Sequence, residues 1–396
     1  MRPIKTLVIA PTPFFGDRGC HIRIYEEVRA LARLGVESLV VTYPTGRDLP
    51  DIAIERAPAL PGVKAAALGP SLARPVLDAM LSRAVRRAAR RFRPDLLHAH
   101  LHEGILIGAW ARRRLGLPLL ADLQGSLTAE LVDHAFLPER GILASAARRL
   151  EAWLVRRPDR ILTSSAHVVS LLTAQGVAPE TITPFPDGVD LGAFRPSPPD
   201  PELVTRLGLT GKRVVVFLGV LTSYQGVDLL LDAVPHVVRA VGDVHFVIMG
   251  YPNEDRYRAR VQASGLAASV SLPGQIDYAE AARWICLGEV AVSPKRSLSE
   301  ANGKLLNYMA CGRAVVASDT PVNRELLGED GTYAPVGDAA GLADGIIELL
   351  RQPGLARARG ASLRRRAEQE FGWPALAARL EAIYRELLVQ RRPAGA

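Results

Sequence analysis

Residues 5–23 read KTLVIAPTPFFGDRGCHIR. The apolar run over 5–10 is too short for the core and cleavage site of a signal peptide, so it reads as a buried strand. A helix is expected over 22–34, because Ile24, Val28 and Leu31 fall on one face. Between strand and helix stand Gly16 and Gly19, which allow a tight turn and let backbone amides approach an anion at the helix start. The loop is not a GxGxxG fingerprint, and no acidic ribose ligand follows about 20 residues later. Arg18 and Arg23 favour a phosphate or an acidic acceptor here; a plain turn is the alternative.

The same unit repeats along the chain. Strands are expected over 37–42, 96–99, 119–121 and 160–163, with helices over 76–92, 104–114 and 139–156. Residues 179–201 hold seven prolines and read as a crossing rather than as an element of either half. A second series follows, with strands over 213–218, 244–249, 270–272, 290–292 and 314–317. Its helices are expected over 226–240, 255–264, 278–285, 303–311 and 341–350, with an irregularity at Pro235. A chain of 396 residues exceeds the usual size of one core. The expected fold class is α/β, with two facing Rossmann-like domains over 1–185 and 186–371. The terminal segment 372–396 is expected to fray over 391–396. Open sheets of this kind bind ligands at the carboxyl ends of their strands, so the cleft is the expected site.

Composition narrows the function. With 48% hydrophobic and 23% charged residues the chain is neither disordered nor of low complexity. Three scattered cysteines fit neither a zinc site nor a dithiol motif and suggest a reducing, cytoplasmic setting. The longest later apolar stretch, 214–221, is far short of the roughly 20 residues that span a bilayer. A formal charge of +8 favours anionic partners. Arg83, Arg86, Arg87, Arg90, Arg91 and Arg93 crowd one helix, beside an apolar stripe at 77, 81, 85 and 92. That helix is either a solvated one packed on a sheet or a peripheral contact for an anionic membrane. No aromatic and basic recognition motif accompanies the charge, so nucleic acid is not an expected partner.

The residues with most chemical content lie in SPKRSLSEANGKLLNYMACGRAVVAS, 293–318. Lys295, Arg296, Glu300, Asn302, Gly303 and Lys304 gather at a helix start. There, amides and Lys304 would neutralise a diphosphate while Glu300 accepts sugar hydroxyl bonds; a polar loop with a good helix start is the alternative. Gly219 ends a strand, and Gln225 directly precedes a helix start at Gly226. His98, His100 and His102 alternate at strand spacing, so their side chains share a face. No further ligand is indicated, so no metal is expected; a site-lining or acceptor role for His100 and His102 stays open, with Glu103 as a pairing candidate. Asp122 is a candidate for the acceptor pocket.

The first glycine loop, DLLHAH (95–100), DGVDLGAF (187–194), FLGVLTSYQGVDLLL (217–231) and YMACGRAVVAS (308–318) together resemble glycosyltransferase family 4. The resemblance spans nearly the whole chain and implies the B-type (GT-B) glycosyltransferase fold. FGWPALAARLEAIYREL at 371–387 would then be a terminal helix returning to the first domain. It also implies a nucleotide diphosphate sugar as donor, no cofactor, no bound divalent metal, and retention of anomeric configuration onto a lipid-linked, polysaccharide or small-molecule acceptor. Three positions depart from the family pattern. Gln225 stands where a basic residue is common, and Asn307 where the second of two glutamates binds ribose; Glu300 is near the first, although strict spacing points to Ser299. Gln124 replaces a histidine near the transferred sugar; an amide can orient a hydroxyl but cannot act as general base. The rival readings are an epimerase or phosphorylase of the same fold, or a sugar-nucleotide-binding subunit without activity.

Overall fold

Apolar strands that must be covered on both faces assemble here into two parallel sheets. The structure, a computed structural model, describes residues 2–17, 19–59, 73–133, 136–298 and 300–390; the tail expected to fray and Arg18 lie outside them. The first sheet contains β1 (Lys5–Ala10), β2 (Glu37–Thr42), β3 (Ala53–Arg56), β4 (Leu96–His100), β5 (Leu119–Leu123), β6 (Arg160–Thr163) and β7 (Ile182–Pro184). Their order is β3-β2-β1-β4-β5-β6-β7, and every pairing is parallel. The second contains β8 (Arg213–Leu218), β9 (Val244–Met249), β10 (Val270–Gly274), β11 (Val290–Ser293), β12 (Ala314–Ser318) and β13 (Thr332–Ala334). Its order, β10-β9-β8-β11-β12-β13, repeats the plan. Each sheet reverses its winding beside its first strand, between β1 and β4 and between β8 and β11. Such switch points open a crevice above the strand ends.

Several expectations need correction. The proline-rich segment 179–201 contributes an element after all: β7 pairs with β6 as the edge of the first sheet, where Pro184 needs no ladder donor on its outer side. The helix Val227–Val241 runs unbroken past Pro235. The helix expected over 139–156 is confined to Ile142–Leu154, after a separate short helix Leu127–Asp133.

The last helix, Trp373–Gln390, packs on the first half of the chain. Trp373, Leu376, Leu380, Ile383, Tyr384 and Leu387 join a core with Ile4, Leu31, Leu96, Leu120 and Leu162. Each fully buried side chain of this kind contributes about 1.5–3 kcal/mol. The chain thus crosses between the halves twice, and the two crossings touch. Val189 N donates to Phe371 O at 2.9 Å, and Trp373 N to Val189 O at 3.4 Å. Gly188 makes this approach possible, since a Cβ there would lie 2.6 Å from the Trp373 ring.

Candidate active site

The switch points bring three loops together: the one after β1, residues 219–226 after β8, and residues 294–303 after β11. Gly219 leaves room for the Lys304 ammonium, because a Cβ at this position would lie 2.6 Å from Lys304 Nζ as it stands. Lys304 opens the helix Lys304–Ala310 and donates to Gln225 Oε1 at 2.7 Å, with its ammonium 4.5 Å from the Phe217 ring centre. Burial pushes Lys304 down to about 7, against the opposing pull of Glu300. Gly219, Gln225 and Lys304 therefore form one cationic corner at the carboxyl end of β8.

The other residues of the third loop mostly hold it in shape. Lys295 Nζ donates to Ala301 O at 2.6 Å and lies 3.0 Å from Glu300 Oε2, so the loop is pinned from inside. Asn302 is buried and directs its amide to Ser293 Oγ at 3.0 Å and Asn323 Oδ1 at 2.8 Å. Arg296 is exposed, while its amide donates to Tyr224 O at 3.2 Å. A Cβ on Gly303 would meet Asp187 Oδ2 at 3.1 Å. Asn307 is buried on the helix Lys304–Ala310, and its carbonyl accepts from Cys311 N at 3.0 Å. Ser299 lies outside the described residues.

The first half meets this corner through two loops. The Gly16 carbonyl accepts from the Tyr251 hydroxyl. Asp17 accepts from Gln275 Nε2 at 3.1 Å and from Tyr278 N at 3.2 Å. Gly19 begins the helix Gly19–Arg33, with nothing within 4 Å of where a Cβ would stand. The Gln124 carbonyl accepts from Ala301 N at 2.9 Å, which ties the loop after β5 to the loop after β11. Gly16, Gln124, Glu300 and Lys304 are thereby brought to one interface, although they come from distant parts of the chain.

Arg23, His100 and Asp122 lie beneath it, buried together. Arg23 Nε donates to Asp122 Oδ2 at 2.6 Å, and a second guanidinium nitrogen pairs with Asp187. Burial would lower Arg23, but Asp122, Asp187 and Glu27 more than reverse this, so it stays charged. Burial and the neighbouring His98 hold His100 well below its usual range. His102 does not continue the strand pattern: it belongs to the helix Leu101–Leu115, and its Nε2 faces Glu151 Oε1 at 3.6 Å. Although burial would raise Glu151, bonds from His102 and Thr128 bring it down to about 2. Glu103 pairs with Arg74 at 2.6 Å rather than with any of the three histidines. Glu27 had no sequence signal as a site residue, yet its carboxylate stands 3.1 Å from His98 Nδ1.

Comparison with known proteins is consistent along the chain. Residues 18–188 match the model described as "Glycosyl transferase 4-like domain", and residues 212–352 match "Glycosyl transferases group 1". A phosphatidyl-myo-inositol mannosyltransferase of Mycobacterium leprae is 30% identical over 293 residues, covering 73% of each chain. A D-inositol 3-phosphate glycosyltransferase of Kineococcus radiotolerans is 28% identical over 414 residues, covering 96% of this chain and 93% of that one. Among solved structures, sucrose-phosphate synthase from Thermosynechococcus elongatus superposes with a TM-score of 0.82 at 19% identity, covering 98% of this chain and 100% of that one. Anabaena HepE in complex with UDP-glucose superposes with a TM-score of 0.78 at 17% identity, covering 97% and 100%. The two sheets and the returning helix are those of the GT-B fold.

Proposed function

The chain belongs to glycosyltransferase family 4, and on that premise we propose that it transfers a sugar, with retention and without a divalent metal, from a nucleotide diphosphate sugar to an inositol-bearing or related lipid or glycan acceptor. The observation that carries the donor assignment is the corner of Gly219, Gln225 and Lys304, where one ammonium faces a neutral amide at the carboxyl end of β8. A diphosphate placed there meets a charge-assisted donor and a glycine that admits its close approach. The solved complex of HepE with UDP-glucose supports a donor of this class. In this reading residues 186–371 hold the donor, 1–185 seat the acceptor, and 372–396 form the crossing segment.

Transfer breaks the bond from the anomeric carbon to the diphosphate oxygen and forms one to the acceptor oxygen. The acceptor proton passes to the leaving phosphate, and Lys304 stabilises the charge that develops there. Glu300 is paired with Lys295, and Asp122 and Asp187 with Arg23, so each of these three carboxylates has a cation committed to it. That commitment supports attack on the donor's own leaving-group face rather than a covalent sugar intermediate. Gln124, by hydrogen bonding, would align the sugar.

The acceptor class rests on the inositol-containing substrates in the names of the two relatives. Arg83, Arg86, Arg87, Arg90 and Arg91 line a shallow groove on the helix Arg74–Phe92, which supports a peripheral contact with anionic headgroups. No helix among the described residues is long and apolar enough to cross a membrane. The direct test incubates the protein with a panel of UDP- and GDP-sugars together with inositol phosphate or phosphatidylinositol. Glycosylated acceptor and free nucleoside diphosphate are expected in equal amounts. An isomerised donor, or binding of every donor without turnover, would overturn the assignment.

A further inference from the structure

Beneath the cleft, four side chains from three elements converge on one point. Glu27 of the helix Gly19–Arg33, His98 and His100 of β4, and Asp122 of β5 each offer one ligand atom, all within 4.8 Å of one another. None of the four is more than 1% exposed. Among the described residues, both carboxylate oxygens of Glu27, Nε2 of His98 and of His100, and Oδ1 of Asp122 have no hydrogen-bond partner. The closest approach, His98 Nδ1 to Glu27 Oε1 at 3.1 Å, is not such a bond, since that nitrogen engages the Tyr384 hydroxyl at 2.8 Å. His100 lies 3.8 Å from Glu27 Oε1 and 3.5 Å from Asp122 Oδ2. Four converging ligand residues that together carry five unpartnered, buried polar atoms favour an occupant, because burying such atoms unpaired is costly.

Charge says what kind of occupant. Two carboxylates, Glu27 and Asp122, are fully buried beside the single guanidinium of Arg23, which also bonds to the part-exposed Asp187. A water molecule would satisfy some of these atoms but leave the carboxylates in excess over Arg23; a cation offsets that excess. Two imidazoles and two carboxylates make four nitrogen and oxygen ligands, donor types that zinc accepts and the number it takes in a four-coordinate site. The Tyr384 hydroxyl on His98 is the kind of outer partner that fixes a ligating ring. We propose that this chain holds a structural zinc ion between Glu27, His98, His100 and Asp122. The ion joins β4, β5 and the first helix and, through Tyr384, the returning helix. None of its four ligands belongs to the Gly219, Gln225 and Lys304 corner, so the donor chemistry proposed above is not routed through it.

The test uses the full chain, without a metal-binding tag, purified after zinc-supplemented growth, with metal content measured by plasma mass spectrometry. One zinc per chain is expected in the wild type, and at least a tenfold lower content in His100→Ala and in Glu27→Gln. Circular dichroism establishes that the variants are folded. Cobalt substitution of the wild type supplies a reading independent of the variants: the strong visible absorption of four-coordinate cobalt is expected. A folded wild type that takes up neither zinc nor cobalt, its cluster then holding protons or water only, would overturn the proposal. So would weak six-coordinate cobalt bands, or full zinc retention in the folded variants.

Discussion

Lys304 Nζ and Gln225 Oε1 are 2.7 Å apart, so the ammonium of the donor corner is met by a neutral amide. Replacing Lys304 with Ala is expected to weaken nucleotide-sugar binding by roughly 1.5–3 kcal/mol, the range for a hydrogen bond to a charged group. Titration calorimetry checks this; unchanged affinity in a folded variant would remove Lys304 from the donor site.

The same residue predicts a pH dependence. With Lys304 held down to about 7 in the free protein, it is charged below that pH and neutral above it. A bound diphosphate raises it again, so binding takes up a proton on the alkaline side. Affinity is therefore highest below about pH 7 and declines as pH rises, by at most about tenfold per unit. The measurement calls for an intact nucleotide sugar, whose doubly esterified diphosphate does not titrate in this window. In Lys304→Met the slope should vanish; a slope that survives belongs to another group.

Transfer activity is expected to persist after treatment with EDTA and to be unchanged by added magnesium or manganese. The corner supplies its positive charge from a side chain. Activity lost on chelation and restored by either ion, but not by another salt, would show that the donor diphosphate needs a metal bridge.

Arg87 and Arg91 both reach Glu55, at 3.2 and 2.6 Å, so one carboxylate offsets part of the basic groove. The remaining charge should still draw the protein to anionic vesicles, with each basic residue close to the surface contributing about 1 kcal/mol. Co-sedimentation is expected to need anionic lipid, fall with salt, and drop when Arg86, Arg87, Arg90 and Arg91 are changed to Gln. Donor affinity should be retained in that variant. Equal sedimentation of both proteins on every lipid would exclude this helix as the contact.

Gly188→Ala places a methyl group where the Trp373 ring stands, at 2.6 Å. A cost of about 1–3 kcal/mol is expected for overpacking of this kind. Trp373→Ala, which leaves a cavity instead, should cost about 3–5 kcal/mol. Thermal unfolding monitored by circular dichroism measures both; a variant as stable as the wild type would mean that the crossing can shift aside.

The long apolar strands were legible because a strand buried on both faces has to be apolar throughout. β3, β7 and β13 were not: AIER at 53–56 and TYA at 332–334 are not apolar runs, and Ile182–Pro184 lies in a stretch whose prolines argue against a strand. Gly219, Gln225 and Lys304 could be named from loop positions, but which of their neighbours hold the loop together could not. Lys295 and Asn302 belong to the same polar run as Lys304, and only the fold shows that they turn inward, to Ala301 and Asn323. The histidine cluster was half visible. The alternation of His98 and His100 shows in the sequence, whereas Glu27 comes from a helix far away along the chain, with no spacing to announce it. Cys286 and Cys311 likewise look unrelated by position, yet both are buried in one core of the second half.

The paired crossings at Val189 and Phe371 have a mechanical consequence. Two linkers set apart would let one half swing, slide and twist against the other. Two linkers bonded side by side, with Trp373 wedged against Gly188, act as a single pivot. Shear would have to break both backbone bonds between them, whereas rotation about their common line keeps both. Parting of the halves along one arc would break contacts across the cleft, such as Tyr251 to Gly16, and spare the crossings.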